Sequence, residues 1–235
     1  MEKLLVDVGN TFLKVALEKE GKIKLLKKFS TKKVLKCPKI LSDLCNVKIE
    51  RTGISSVVKE LNPILKKIFK DALFISANTP LPIKINYKNK RLLGADRIAN
   101  ACGGLLYGDS FSVVSVGTTV VVDLVKDRVF EGGVIFPGFE LMAESLSLKT
   151  SQLPKVESFK KTGIPSKSTV ECIENGVLLS IVGGIKEALS IYKTEKVIIT
   201  GGGGYLVKDF IKDAIYIDNL TFEGISRIID HQKAL

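Results

Sequence analysis

Apolar positions near the start of the chain fall into short β-prone runs, which predict strands over residues 3–8, 12–18 and 22–29 with Glu20-Gly21-Lys22 as the second turn. The pattern then predicts a helix over 33–45, a strand over 53–58, a helix over 60–70 after Lys59 and a strand over 73–76 ending in Ser-Ala-Asn-Thr-Pro. Residues 96–107, DRIANACGGLLY, carry apolar side chains at 98, 99, 101, 102, 105 and 106. That spacing suits a helix buried on one broad face, with Asp96 placed as its N-cap. From residue 111 the opening pattern returns as strand, glycine turn, strand, charged turn, strand, up to 136. Helices follow over 138–148 and 169–193, then a strand over 196–200 that runs into four glycines. A helix over 204–212, a strand over 215–217 and a last helix from about 221 complete the order.

The opening run LLVDVGNTFLKVAL (4–17) breaks its hydrophobic pattern with Asp7, Gly9, Asn10 and Thr11, and the break has a counterpart. Val6-Asp7-Val8-Gly9-Asn10-Thr11 superposes on Val114-Ser115-Val116-Gly117-Thr118-Thr119 at a constant offset of 108, with the Val, Gly and final Thr positions coinciding. A similarity at that separation marks a duplicated domain; solenoid repeats run to about 20–50 residues. The expectation is therefore an α/β chain of two domains, residues 1–110 and 111–235.

Composition narrows the function. The net charge of +11 comes from 36 Lys and Arg against 25 Asp and Glu. The lysines are scattered, no zinc-finger or aromatic RNA-binding signature accompanies them, and the expected partners do not include nucleic acid. A positive excess also attracts polyanionic small molecules such as nucleoside triphosphates. The one histidine, His231, lies in the polar tail, which removes histidine-dependent triads. Four cysteines (Cys37, Cys45, Cys102, Cys172) show no C-x-x-C spacing and are expected as packed thiols. No run approaches the roughly 18 apolar residues of a membrane span, and the first residues do not resemble a signal peptide; the expectation is a soluble, cytoplasmic protein.

A strand, glycine turn, strand unit brings backbone amides and Asn or Thr side chains close to a ligand, and two such turns facing each other would grip a polyphosphate from both sides. Asp7, at the end of its strand, is placed to hold magnesium through water beside those phosphates. The alternative for one copy alone is an ordinary hairpin with a solvated Asp7. In VIITGGGGYL (197–206) an apolar strand delivers four glycines to a helix start. Amides there suit phosphate, and residues without side chains let a flat purine lie against the main chain. Leu206 occupies the place of the last glycine of a Rossmann fingerprint, and no G-x-x-x-x-G-K-[ST] occurs, so neither dinucleotide-fold nor P-loop enzymes fit.

The set of D-V-G-N-T, a second Gly-Thr turn and T-G-G-G resembles the two phosphate motifs and the adenosine motif of the acetate and sugar kinase, heat-shock chaperone and actin superfamily. Within it, Tyr87-x6-Gly94-Ala95-Asp96-Arg97 followed by Thr169 near a helix start is similar to type III pantothenate kinase, over nearly the whole chain. The resemblance implies duplicated ribonuclease-H-like, actin-like ATPase domains with mixed sheets flanked by helices. It implies that Asp7, Val8, Gly9, Asn10, Thr11, Phe12, Leu13 and Lys14, together with Thr118 and the Gly201, Gly202 and Gly203 cluster, bind ATP with magnesium. Tyr87, Gly94, Ala95, Asp96, Arg97 and Thr169 would contact pantothenate, and Asp96 would accept its proton. It further implies a homodimer and a monovalent cation, potassium or ammonium, that helps hold ATP.

Chemistry supports those roles separately. Phosphoryl transfer to a primary alcohol needs in-line positioning, charge neutralisation and a carboxylate to take the proton. A guanidinium such as that of Arg97 matches two carboxylate oxygens of a substrate. Without the resemblance, Asp96 reads as a helix cap and Arg97 as a surface cation. Two positions depart from the family pattern. Ser115 stands where the family places an aspartate that binds potassium, and a neutral hydroxyl is a weaker ligand for a hard cation, so cation dependence is expected to be slight or met by another group. Lys90 replaces a common proline, and Asp123, eight residues after Ser115, is retained. The leading reading is ATP-dependent phosphorylation of pantothenate at the start of coenzyme A synthesis. The alternatives are a non-catalytic regulatory protein of the same fold and another small-molecule kinase of the superfamily.

Overall fold

The structure is a computed structural model that describes residues 2–46, 49–159 and 163–233, without the side chains at 42, 43, 45 and 46. Its elements run β1 (Glu2–Val8), β2 (Phe12–Lys19), β3 (Lys22–Ser30), α1 (Thr31–Lys36), β4 (Arg51–Ser56), α2 (Asn62–Ile68), β5 (Leu73–Phe74), β6 (Lys84–Ile85) and α3 (Ala95–Gly104). The second series is β7 (Phe111–Val116), β8 (Thr119–Lys126), β9 (Val129–Pro137), α4 (Phe139–Lys149), α5 (Thr169–Tyr192), β10 (Val197–Thr200), α6 (Gly204–Val207), β11 (Ile215–Tyr216) and α7 (Leu220–His231).

Two compact units result. Residues 1–109, 128–130 and 219–235 form the first, and residues 110–127 and 131–218 the second. The chain is thus discontinuous in both: the tip of the β8–β9 turn and the whole of α7 group with the first unit. Its sheet has the order β3-β2-β1-β4-β5, and the matching order β9-β8-β7-β10-β11 recurs in the second. In each, the opening strand pairs antiparallel with its hairpin partner and parallel with the strand on its other side. The duplication read from the glycine turns therefore extends to strand order and direction.

β1 and β7 are buried along most of their length, as central strands with both faces covered must be. Leu4, Val6, Val8, Leu13 and Val15 pack with Ile54, Leu61 and Leu65 in one core. Val114, Val116, Val120 and Val122 pack with Ile173, Ile181 and Ile185 of α5 in the other. The predicted helix over 33–45 is observed as the six residues of α1 followed by a 3-10 run, Pro38–Asn46. Pro38 is the reason: it lacks an N–H and forces Cys37 out of the helical region, to φ −142° and ψ 78°. The helix predicted over 204–212 is likewise only α6 and a 3-10 turn, Lys208–Phe210. Cys102 is buried, and burial pushes its thiol up to about 12. Cys37 and Cys172 are exposed, so packing does not explain them; the Cys45 side chain lies outside the described residues.

α7 is fixed to the first unit at both ends. The buried Lys3 ammonium donates to Glu18 Oε1 at 3.1 Å, Ser226 Oγ at 2.8 Å and Asp230 Oδ2 at 2.7 Å, which joins β1, β2 and α7. Further up, α7 and α3 approach backbone to backbone. A Cβ on Gly224 would collide with the Ala99 carbonyl, and one on Gly103 would lie 2.5 Å from the Leu220 carbonyl oxygen. Gly224→Ala is therefore expected to lower unfolding free energy by about 1–3 kcal/mol, which at this chain length is roughly 2–4 °C of Tm per kcal/mol. Gly176→Ala on α5, where nothing stands within 4 Å of the added carbon, is expected to leave Tm unchanged or raise it. Thermal melts of the two variants check the contrast.

Candidate active site

In the first unit the β1–β2 turn and the start of α3 build the site. Asp7 is the penultimate residue of β1 and stands opposite Lys14 in the antiparallel ladder. Gly9 N–H donates to the Phe12 carbonyl at 2.9 Å, and the Gly9 carbonyl accepts from the Thr31 hydroxyl at 2.7 Å. Asn10, Thr11 and Phe12 are exposed, whereas Val8 and Leu13 are core residues, which leaves only their backbone for a ligand. Lys28 lies over the Phe12 ring at 3.9 Å.

α3 starts at Ala95 with Gly94 as its cap, so Asp96 is not the N-cap expected from the sequence. It occupies the first turn, where its Oδ1 accepts the Arg97 N–H at 2.8 Å. A Cβ on Gly94 would sit 2.5 Å from that same oxygen, so a side chain there would displace the Asp96 carboxyl. Asp7 and Asp96 keep partial surface exposure, yet protein surrounds both carboxyls. Burial pushes Asp7 up to about 7; the Lys14 charge opposes the rise and the Asp96 charge adds to it. Burial also raises Asp96, against the pull of the Arg97 N–H and guanidinium. The fold thus brings into electrostatic contact two carboxyls that lie 89 positions apart in the chain. Arg97 is buried and sits over the rings of Tyr87 and Phe130.

The second unit repeats the turn in shorter form. Gly117 N–H donates to the Thr119 carbonyl at 2.9 Å, and Val116 faces Val120, where Val8 faces Leu13 in the first copy. The constant offset of 108 therefore ends at the turn and becomes 107 beyond it. Ser115 stands where Asp7 does, between Val121 and Thr200 in the sheet. The helix after each third strand closes each turn: Thr31 N–H donates to the Thr11 carbonyl at 3.0 Å and Gly138 N–H to the Thr118 carbonyl at 2.9 Å. Gly138 was not among the expected site residues, although Pro137-Gly138 directly after a strand is a sequence signal for it. A Cβ on Gly138 would strike the Gly117 carbonyl.

The glycine cluster lies on the same strand end. Gly201 has φ +89° and no room for a side chain above the Val116 backbone, while Gly203 N–H donates to the Val116 carbonyl at 2.9 Å. Gly204 is crowded by the Tyr216 ring, at 2.7 Å from an added Cβ. Gly202 has open space around it and so offers bare main chain. α6, at four residues, is too short to give an anion site, which leaves the bare main chain at Gly202 as the feature the cluster offers. Thr169, the first residue of α5, borders a hollow of about 500 Å³ between α4 and α5, lined by Met142, Leu146, Leu153 and Ile173. It belongs to the second unit; Tyr87, Asp96 and Arg97 belong to the first.

Magnesium fits the donor chemistry of the first turn. Asp7 offers carboxylate oxygens to a hard cation, and its ionisation, opposed by burial and Asp96, is favoured by a dication nearby. Among the described residues no group of three or more His, Cys, Asp or Glu is arranged to hold a metal ion, so Asp7 would act with water and substrate oxygens. At Ser115 a single neutral hydroxyl fits a monovalent cation less well than a carboxylate does.

A duplicated five-strand order, extended by β6 in the second sheet, with a glycine turn on each opening hairpin defines a member of the actin-like ATPase and sugar kinase fold. A ROK-family glucokinase from Streptomyces griseus has this fold over 98% of the chain at a TM-score of 0.58 with 10% identity, and a conserved putative Baf family transcriptional activator from Campylobacter jejuni over 99% at 0.67 with 23%. They cover 98% and 100% of those proteins. The family model described as type III pantothenate kinase matches residues 3–190. A type III pantothenate kinase of Thermosipho melanesiensis is 34% identical over 95% of this chain and 96% of its own length. The chain belongs to the type III pantothenate kinase family, and it is a kinase.

The Asp7 carboxyl gives the ligand-free protein a pH signature. Its folded value near 7 exceeds the ordinary value near 4, so the folded state holds a proton that the unfolded chain has released between those limits. That contribution is fully present below about pH 4 and is lost as pH rises through about 7. Asp7→Asn removes the ionisable group, so its Tm relative to wild type is expected to climb between pH 5 and pH 8 in metal-free buffer. A difference that stays flat with pH would contradict the buried carboxyl.

Proposed function

We propose that this chain transfers the γ-phosphoryl group of ATP to the primary hydroxyl of pantothenate, yielding 4′-phosphopantothenate and ADP at the first step of coenzyme A synthesis. The observation that carries the reading is the electrostatic contact of Asp7 with Asp96, which sets a phosphate-turn carboxyl beside the carboxyl of the Gly-Ala-Asp-Arg motif in a chain of this family.

Asp96 is the base in this reading. As the pantothenate oxygen attacks the γ-phosphorus, its proton passes to Asp96 and the bond from phosphorus to the β,γ-bridging oxygen breaks, leaving ADP. The desolvation that raises the Asp96 carboxyl makes its ionised form a stronger base. Arg97 takes the substrate carboxylate, with Tyr87, Gly94, Ala95 and Thr169 completing the pantothenate contacts. The amides and side chains of Asp7 to Lys14 and the Thr118 hydroxyl hold the phosphates, and Gly201, Gly202 and Gly203 give the purine a flat rest. Magnesium, held by Asp7 through water, supplies charge neutralisation at the phosphates when bound. Ser115 leaves a monovalent cation weakly held. The reading includes a cytoplasmic homodimer, for which light scattering at twice the chain mass is the check.

ATP consumption with and without pantothenate tests the function, and consumption that ignores pantothenate would overturn it. Asp96→Asn is expected to lower kcat by about 10²–10⁴ with little change in ATP affinity. In the wild type, kcat/KM should fall as acid protonates Asp96. Replacing potassium by sodium should change turnover little, and Ser115→Asp should introduce potassium dependence. A strict potassium requirement in the wild type would contradict the role given to Ser115.

A further inference from the structure

Arg97 does not reach its place unaided. Its guanidinium carbon lies 5.4 Å from the centre of the Phe130 ring and 5.6 Å from that of Tyr87, with the two rings 6.1 Å apart and inclined at 58°. Nη1 of Arg97 donates to the Tyr87 hydroxyl at 3.5 Å. Phe130 is wholly buried, and its ring packs against Tyr87 and Arg97, two of the six residues expected to contact pantothenate.

Its backbone acts on the same loop. Phe130 pairs with Ile85 in the parallel β6–β9 ladder, and its carbonyl accepts the Asn86 N–H at 3.0 Å, one residue before Tyr87. Arg128, two residues earlier, anchors the turn: its carbonyl accepts the Lys84 N–H at 2.9 Å, and its guanidinium donates to Asp109 and to the Pro82 carbonyl at 3.3 Å each. Residues 128–130 thereby form part of the first unit although flanked on both sides by the second.

The geometry points to Phe130 as a positioning residue for pantothenate recognition, holding the Arg97 guanidinium over its ring face and the Tyr87 loop by its carbonyl. The inference rests on the pantothenate kinase reading. A cation over an aromatic face is attracted by the ring quadrupole, and the attraction strengthens where water is excluded. A guanidinium fixed in plane presents two parallel N–H groups to a carboxylate; one released from the ring loses that alignment. Phe130 touches no reacting atom in this scheme, so its effect falls on the acceptor substrate and leaves ATP and the chemical step alone.

Steady-state kinetics of Phe130→Leu, with Phe130→Met as the second variant of similar volume, test this. Whichever variant retains a cooperative melt is expected to raise KM for pantothenate by about 5- to 30-fold, with KM for ATP and kcat nearly unchanged. In an Arg97→Met background the same substitution should add little, because the two residues act as one unit. Unchanged pantothenate KM, an equal rise in both KM values, an additive effect in the Arg97→Met background, or loss of folding in both variants would overturn the positioning role. A wild type that consumes no ATP with pantothenate would instead overturn the functional reading itself, so the two failures are separable.

Discussion

Two carboxyls, Asp7 and Asp96, held from water within reach of each other's charge, set the condition that the surrounding structure satisfies. Each resists ionisation through burial, and each is partly relieved by a cation of its own: Lys14 across the β1–β2 ladder for Asp7, the neighbouring Arg97 for Asp96. Such an arrangement weakens the ligand-free fold near neutral pH, since ionising a desolvated group opposes folding. It persists because rigid parts over-determine it. Asp7 sits on a central strand paired on both sides. Asp96 sits at the start of a helix that α7 grips by backbone contact at Gly103 and Gly224. Gly94 supplies the space its carboxyl needs. Stability given up at one site and recovered in the packing around it is the usual mark of a site shaped by chemistry.

Most of the architecture was legible in the sequence because it depends on local period and punctuation. The three strands that open each half, the long α5 and the recurrence of the glycine turn all follow from apolar spacing and from Gly or charged residues between runs. Where the reading departs, the cause is local and identifiable: Pro38 ends α1 early, and Asp96 yields the cap to Gly94 because its side chain folds back onto the Arg97 N–H. The motif residues were legible only through resemblance, since without it Asp96 reads as a helix cap and Arg97 as a surface cation. What no local pattern carries is the pairing of distant residues. Phe130 is one apolar residue in a strand, and nothing at 130 announces a contact with 87 and 97. The return of α7 to the first unit is hidden for the same reason. So is the pairing of Glu18, at the charged end of β2, with the buried Lys3 ammonium.

The duplication preserved backbone geometry and let side-chain chemistry diverge. In both copies the first strand ends in a glycine turn, and the helix after the third strand donates an N–H to a carbonyl of that turn, from Thr31 in one copy and Gly138 in the other. The turns nevertheless differ by one residue, and Asp7 in one is Ser115 in the other. At this strand position the carboxyl is therefore confined to the first copy. The second has neutral hydroxyls at 115, 118 and 119 and a glycine shelf pressed onto Val116, where Gly201 needs its positive φ and Gly203 its missing side chain. The glycine turn thus stands beside a carboxyl that burial pushes up to about 7 in one copy and beside a neutral hydroxyl in the other, so the glycine geometry does not depend on the charge next to it.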